Sequence, residues 1–149
     1  MDNQKTIEEI ESEIIEEFSF FDSWDDKYEY IIDLGKKLPP IEEKYRIEEN
    51  RVIGCQSTVY LGAEMKNGNI LYQADSDAVI VKGLISMLIR VLSGQPTTEI
   101  MQAKLEFIRE IGMMSHLAQT RSNGLLAMIR QMKNYAQAYQ VKSSESENI

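Results

Sequence analysis

The chain opens with an apolar stripe at helical spacing. Large apolar side chains recur every three or four residues, at Ile7, Ile10, Ile14, Phe18 and Phe21. Thr6 followed by Glu9 has the form of a capping box, in which two side chains satisfy free backbone N–H groups at a helix start. We therefore predict an N-terminal helix over residues 6–21. Its glutamates form an acidic face that is solvated or that docks a partner, and the sequence leaves both interpretations open.

A second helix is predicted to begin after Ser23, a favourable N-cap, and to stop at Gly35. Its buried face is expected to contain Trp24, Tyr28, Ile31 and Ile32. Pro39-Pro40 then forces an extended segment. Residues 41–50 are charged and follow no clear period, so we predict a connecting loop with a short turn.

The pattern changes to strict alternation after residue 58, which is typical of half-buried strands. The apolar side of the first strand is Val59, Leu61, Ala63 and Met65. Asn67-Gly68 is a strong hairpin signal, and Ile70, Tyr72 and Ala74 continue on a return strand. We predict a third, edge strand near Arg51-Val52. A lone hairpin is marginally stable, so this small antiparallel sheet must pack against helices.

The next predicted helix is capped by Asp75-Ser76-Asp77 and ends near Ser93, before Gly94 and Pro96. Apolar residues cover nearly its whole circumference, and they leave one narrow polar stripe of Lys82, Ser86 and Arg90. A helix that is apolar on almost all sides belongs in the middle of a domain. We expect it to be the packing centre.

Short helical segments are predicted to follow. Thr97 or Thr98 caps the first, residues 103–111 form the second, and residues 112–117 form a loop or a broken turn. Residues 120–124 then lead into a long final helix. The buried face of that helix is expected to contain Leu125, Ile129, Met132, Ala136 and Tyr139.

Length and composition indicate one soluble domain. The chain has 149 residues and 43% hydrophobic residues, enough for a core. We place a single domain over residues 1–142 and a disordered polar tail over 143–149. The predicted fold class is α+β, with about three antiparallel strands packed against several helices.

The net charge of −8 disfavours nucleic acid and anionic membranes as partners. The N-terminal residues lack the basic and apolar regions of a secretory signal. The longest apolar tract is too short for a bilayer and contains Lys82 and Arg90. Because the chain has one unpaired cysteine, we expect it in the cytoplasm.

Cys55 is the only cysteine, and it lies between Gly54 and Gln56-Ser57 at a loop-to-strand junction. One cysteine cannot form a disulfide within the chain, and with one histidine it predicts no metal site. Free cysteine is often a small buried hydrophobe. A glycine neighbour and a junction position instead favour a functional thiol. These observations leave a structural role and a nucleophilic role open.

Three other residues are candidates for chemistry. His116 could serve as a base to Cys55, and Arg121 could hold an anionic sulfur species or pair with a distant carboxylate. Asp77 and Asp75 resemble a carboxylate pair, but roles as the N-cap and in the first turn of a helix explain both without chemistry. The glycines fit neither a phosphate-binding loop nor a dinucleotide fold.

Four blocks of sequence together resemble the SufE family of cysteine desulfuration proteins. They are WDDKYEYIIDLGKKLP (24–39), NRVIGCQS (50–57), DSDAVIVKGL (75–84), and HL (116–117) followed by TRSNGL (120–125). Each block alone is a weak signal for the family, whereas the four blocks in this order are a specific one. The resemblance extends from about Trp24 to Tyr139. It implies an α+β fold similar to the IscU scaffold.

The resemblance also implies a function and partners. Family members accept sulfane sulfur as a persulfide on one cysteine, here Cys55, from a SufS-type desulfurase that carries pyridoxal phosphate. They stimulate that enzyme and pass sulfur to an iron–sulfur scaffold complex of the SufBCD type. They bind no cofactor themselves and have no independent turnover. Asp77, His116 and Arg121 match family positions, and Gly54, Gln56 and Ser57 belong to the cysteine block.

Two other functions remain as alternatives: a hydrolase or transferase that uses Cys55 and His116, and a non-catalytic interaction module. The resemblance and the expected edge strands are compatible with a homodimer. A solitary cysteine favours the sulfur carrier, because a second thiol would attack a loaded persulfide and release sulfide.

Overall fold

The computed structural model describes residues 4–147. Its helices are α1 (Ile7–Ser19), α2 (Trp24–Lys36), α3 (Val79–Leu92), α4 (Thr97–Gln102), α5 (Phe107–Glu110), α6 (Met113–His116) and α7 (Gln119–Glu147). Its strands are β1 (Val59–Lys66), β2 (Asn69–Ser76) and β3 (Gln95–Pro96). Two 3-10 turns, Glu43–Tyr45 and Glu48–Asn50, form the loop before the sheet. The α+β prediction is confirmed.

Helix α1 begins as predicted. The Thr6 hydroxyl accepts from the Glu9 N–H at 3.1 Å, and the Glu9 carboxylate accepts from the Thr6 N–H at 3.0 Å. Ion pairs join α1 to α3, because Arg90 lies 2.6 Å from Glu17 and 3.4 Å from Glu13. The hydrogen bond from Arg90 lowers the pKa of Glu17. Some of the acidic side chains of α1 therefore hold this helix against α3 rather than face water.

Helix α2 is capped by Ser23 as predicted, with its hydroxyl 3.2 Å from the Asp26 nitrogen. The predicted stop at Gly35 is wrong, because the helix runs on to Lys36. Gly35 instead permits a close crossing with α3. A Cβ atom on Gly35 would lie 2.7 Å from the Gly83 nitrogen, and one on Gly83 would lie 2.1 Å from the Ile31 carbonyl oxygen.

The hairpin is confirmed in place and in register. Val59 pairs with Ser76 and Lys66 pairs with Asn69. Asn67 and Gly68 have φ of 55° and 84°, as a tight hairpin turn with two left-handed residues requires. The sheet order is β1-β2-β3.

The third strand lies elsewhere than predicted. Gln95–Pro96 pairs with β2, whereas the segment near Arg51-Val52 makes one isolated bridge, from Arg51 to Tyr60. Residues 52–58, which include Cys55, form turns, bends and irregular backbone, so no strand is present there.

The outer edge of β1 is covered by side chains of α7. The Tyr135 hydroxyl donates to the Leu61 carbonyl at 2.8 Å, and the Tyr139 hydroxyl donates to the Ala63 carbonyl at 3.1 Å. The two tyrosines are one helical turn apart, and the two carbonyls are two residues apart on one side of the strand. The helix thus fits the edge of the sheet.

Helix α3 is the packing centre, as predicted. Eight of its residues are buried, and it packs against α1, α2, α7 and β2. The predicted cap is wrong, because Asp75 and Ser76 are still in β2 and Ala78 is the N-cap. Asp77 instead accepts a hydrogen bond from the Thr58 N–H at 3.0 Å.

The chain after α3 is more broken than predicted. Thr97 is the first residue of α4, with no side-chain cap, and α5 begins only at Phe107 because Leu105 has a φ of 54°. Helix α7 already includes residues 120–124. It also runs to Glu147, so residues 143–147 are helical where a disordered tail was expected, while 148 and 149 lie outside the described residues.

Two of the five predicted core positions of α7 are only partly buried. Leu125, Met132 and Ala136 are buried as predicted, whereas Ile129 and Tyr139 are half-buried. None of the helices in the described range has the length and apolarity needed to cross a bilayer.

Candidate functional site

The loop that carries Cys55 is closed at its base by hydrogen bonds. The Val52 N–H donates to the Val59 carbonyl at 2.9 Å. Asp77 and Thr58 bond twice, since the Asp77 N–H also donates to the Thr58 carbonyl at 3.3 Å. Asp77 therefore holds the end of the loop against the end of β2, and it does not face the thiol's cleft.

Gly54 gives the loop its shape. Its φ of +107° is one that residues with side chains rarely adopt, and a Cβ there would lie 3.1 Å from the Ala127 Cβ. The backbone therefore passes close to α7 at this point. This contact places the next residue, Cys55, against the start of the helix.

The Cys55 thiol packs on the backbone of Gly124. Its Sγ lies 3.6 Å from the Gly124 carbonyl oxygen, which the S–H group can reach as a weak donor. The residue is half-buried. Burial raises the pKa of the thiol, so the neutral form is favoured.

A cleft of about 390 Å³ opens beside the thiol. Its lining is Cys55, Gln56, Ser57, Ala78, Val81, Ala118, Thr120, Arg121 and Gly124. Arg121 supplies the one charged side chain of that lining. Among residues 4–147 it makes no ion pair. The structure therefore brings together four predicted residues (Cys55, Gln56, Ser57 and Arg121) around a cleft whose lining carries one cation.

His116 lies outside this lining. Its ring stacks on Trp24 with centroids 4.1 Å apart and planes 12° apart, and its Nδ1 is 3.0 Å from the Gly112 carbonyl. The stacking joins α6 to α2, and the contact with Gly112 lies at the start of α6 itself. The geometry gives no support to a Cys55–His116 pair.

Two exposed apolar residues beside the cleft were missed by the sequence analysis. Ile53 is 78% exposed, and Val79 is 62% exposed. Ile53 precedes Gly54 in the loop, and Val79 follows the lining residue Ala78. The sequence signal for Ile53 was its position, since it is a large apolar residue directly before the Gly54-Cys55 pair. Exposed apolar side chains around a cleft are typical of docking surfaces.

Gly124 is the other residue of the site that the sequence analysis did not single out. A glycine in a helix interior costs about 1 kcal/mol relative to alanine, so its presence within the final helix indicates a close approach by another group.

Within the described range no three His, Cys, Asp or Glu side chains come close enough to hold a metal ion.

Comparisons with known proteins point to one family. The model of SufE, described as an Fe–S metabolism associated domain, matches residues 12–136. An uncharacterised SufE-like protein of Rhizobium etli is 39% identical over 83% of this chain and 87% of its own. One of Synechocystis is 38% identical over 91% and 86%.

A plant relative and a solved structure extend the comparison. SufE-like protein 1 of Arabidopsis thaliana, named chloroplastic/mitochondrial, is 36% identical over 93% of this chain and 38% of its own. The solution structure of a hypothetical protein from Thermus thermophilus has a TM-score of 0.74 over 89% of this chain and 96% of its own. At 19% identity that likeness concerns the fold alone.

Proposed function

Because the chain belongs to the SufE family, whose domain is associated with Fe–S metabolism, we propose that Cys55 carries sulfur as a persulfide. The donor is a SufS-type cysteine desulfurase with pyridoxal phosphate, and the acceptor is an iron–sulfur scaffold complex of the SufBCD type. By unloading the desulfurase, the chain stimulates it. The observation that carries this proposal is the placement of the only cysteine, half-buried, in a cleft beside Arg121, which makes no ion pair with any described residue.

The transfer is a thiol–disulfide type of exchange. The Cys55 thiolate attacks the outer sulfur of the donor persulfide. A new S–S bond forms at Cys55, the S–S bond of the donor breaks, and the donor cysteine leaves as a thiolate. Sulfane sulfur moves without any external oxidant or reductant. Delivery is the same reaction with an acceptor thiolate as the attacking group.

The surroundings of Cys55 support a partner-dependent reaction. Burial raises the pKa of the thiol, and the lining offers no carboxylate or imidazole to remove its proton. We infer that the donor's site supplies the base and that docking moves the loop outward. Ile53 and Val79 are then covered by the donor, and Arg121 stabilises the negative charge of the persulfide.

Further proposals follow from the same function. The chain binds no cofactor of its own, because the carbon–sulfur chemistry stays with pyridoxal phosphate in the donor. It works in the cytoplasm, where thiols stay reduced. It has no independent turnover.

The test is incubation with the desulfurase, pyridoxal phosphate and cysteine, followed by intact-mass measurement without reductant. We expect one added sulfur atom on Cys55, none on Cys55→Ser, and slower loading of Arg121→Gln. His116→Ala should load at the wild-type rate. Equal stimulation of the desulfurase by Cys55→Ser would contradict the carrier role.

The same variants separate the alternative functions. If His116→Ala abolished a rapid alkylation of Cys55, a Cys–His hydrolase or transferase would be favoured. If Cys55→Ala changed the free energy of unfolding and no sulfur reached the wild-type chain, an interaction module would remain.

A further inference from the structure

A second surface on α7 carries apolar residues that the core does not use. A groove of about 320 Å³ lies between α7 and the segment that contains α5 and α6. Its apolar lining includes Leu126 and Met114, which are 47% and 38% exposed. Leu125 and Ile129 form the inner part of the groove. An apolar groove with exposed side chains at its mouth is a candidate docking surface.

The rim of this groove is basic, although the chain as a whole has a net charge of −8. Lys104, Arg109 and Lys133 line it, against one carboxylate, Glu106. Arg109 is paired with Glu106 at 2.7 Å, and Lys104 makes no ion pair with any described residue. The lining of this groove therefore holds three cations against one carboxylate, and Lys104 also borders Glu8, Glu11 and Glu99 in the neighbouring groove.

Lys133 is fixed at this rim by the backbone. Its ammonium group donates to the Ala103 carbonyl at 2.5 Å, a neutral partner that leaves the charge uncompensated. The neighbouring Leu105 has a φ of 54° and is buried, so it anchors the lip of the groove. One cation of the groove, Lys133, is thus held in place by a backbone contact before any partner arrives.

The groove and the Cys55 cleft are neighbours on one helix. Gly124 lines the cleft, and the next two residues, Leu125 and Leu126, line the groove. Successive helix residues are rotated by about 100° and rise by about 1.5 Å. A protein seated in the groove would therefore lie beside the cleft without filling it.

We propose that this groove docks the sulfur acceptor, through an acidic segment that inserts a large apolar side chain between Leu126 and Met114. The inference rests on the proposed carrier function and assigns its second partner to a separate surface. Charge complementarity selects the occupant, because the cationic rim disfavours a basic segment and the apolar floor disfavours a purely polar one. Separate surfaces let the acceptor approach a loaded Cys55 after the donor leaves the cleft.

The test uses three full-length variants: Leu126→Glu, Lys104→Glu and the control Val141→Glu. Val141 is 51% exposed on the same helix but lies in a different groove, so its variant carries the same change of charge elsewhere. The purified scaffold complex of the same organism is the probe. Binding is measured by titration calorimetry at two salt concentrations, and loading of Cys55 by the desulfurase is measured in parallel.

We expect Leu126→Glu to weaken scaffold binding by about tenfold or more, as loss of an apolar anchor does. Lys104→Glu should weaken it less and remove part of its salt dependence. Loading by the desulfurase and binding by Val141→Glu should stay at wild-type values. Unchanged scaffold binding by Leu126→Glu, equal loss in Val141→Glu, or loss of desulfurase affinity instead would overturn the proposal.

The binding measurement needs no persulfide, so it separates the two proposals. If the wild-type chain took no sulfur from the desulfurase, the carrier function would fail whatever the groove binds. If loading were normal and the groove variants bound the scaffold like wild type, only the acceptor site would fail.

Discussion

The thiol of Cys55 rests on the one position of α7 that has no side chain. A Cβ atom on Gly124 would lie 3.3 Å from the Cys55 Sγ, closer than most real contacts of this kind. The sulfur is thus sheltered by a helix backbone rather than by a lid of side chains. Any outward movement of the loop exposes it.

Replacing Gly124 by alanine should therefore push Cys55 outward. We expect several-fold faster alkylation of the thiol by iodoacetamide, because the loop yields more easily than the helix. The free energy of unfolding should change by less than about 1 kcal/mol, since better helix propensity offsets the crowding. Gln137→Ala, an exposed change on the same helix, should leave the alkylation rate unchanged. An unchanged rate in Gly124→Ala would show that the contact does not restrain the loop.

The alkylation rate of Cys55 should depend on pH with a midpoint above that of a free thiol, because burial raises the pKa of Cys55. The folded pKa is higher than the unfolded one. The stability from this group is thus fully present below the unfolded pKa and declines as pH rises through the folded pKa.

A pH–rate profile of the folded chain, compared with the chain in denaturant, measures this shift. Cys55→Ser should lose the corresponding decline in unfolding free energy at alkaline pH. A folded midpoint at or below the denatured one would contradict the role of burial.

The crossing of α2 and α3 should tolerate no side chain at Gly83. In Gly83→Ala the new Cβ would meet the Ile31 carbonyl oxygen at 2.1 Å, so the two backbones must separate. We expect a loss of at least about 3 kcal/mol in the free energy of unfolding, measured by urea denaturation. Gly68→Ala is the control, because it meets open space and costs only the strain of its positive φ, about 1–2 kcal/mol. Equal losses in the two variants would refute the close crossing.

Acid sensitivity should depend on Arg90. Its hydrogen bonds lower the pKa of Glu17, so the stability from this carboxylate is present above its unfolded pKa and is lost as pH falls through the folded pKa. In Arg90→Met, the free energy of unfolding should be smaller near neutral pH. It should also fall less steeply between about pH 5 and 3. Arg130→Met is the control, because Arg130 is exposed and makes no ion pair within residues 4–147. A wild-type slope in Arg90→Met would count against this account.

The elements that sequence could predict are those set by local rules. The capping box at Thr6, the Asn67-Gly68 hairpin and the apolar α3 each follow from neighbouring residues alone, and each is confirmed. Gly35 was mistaken for a stop because its role depends on Gly83, 48 positions later in the chain. Strand β3 could not be predicted, because two residues carry no periodicity.

The candidate site could be predicted only where its residues are neighbours in the chain. Cys55, Gln56 and Ser57 are consecutive in the chain, and they lie together in the cleft. The distance from His116 to Cys55 could not be deduced, since it depends on how α6 packs against Trp24. Asp77 was taken for a helix cap, whereas it bonds across to Thr58 at the base of the loop.

The tyrosines on α7 also decide how this protein can associate with itself. Because Tyr135 and Tyr139 occupy the Leu61 and Ala63 carbonyls, a second copy cannot pair with this part of β1 without displacing them. A homodimer formed by pairing of β1 edges is therefore disfavoured. Intermolecular β-pairing at β1 begins only when the second half of α7 detaches. The rate at which that half-helix opens should then set the rate of aggregation.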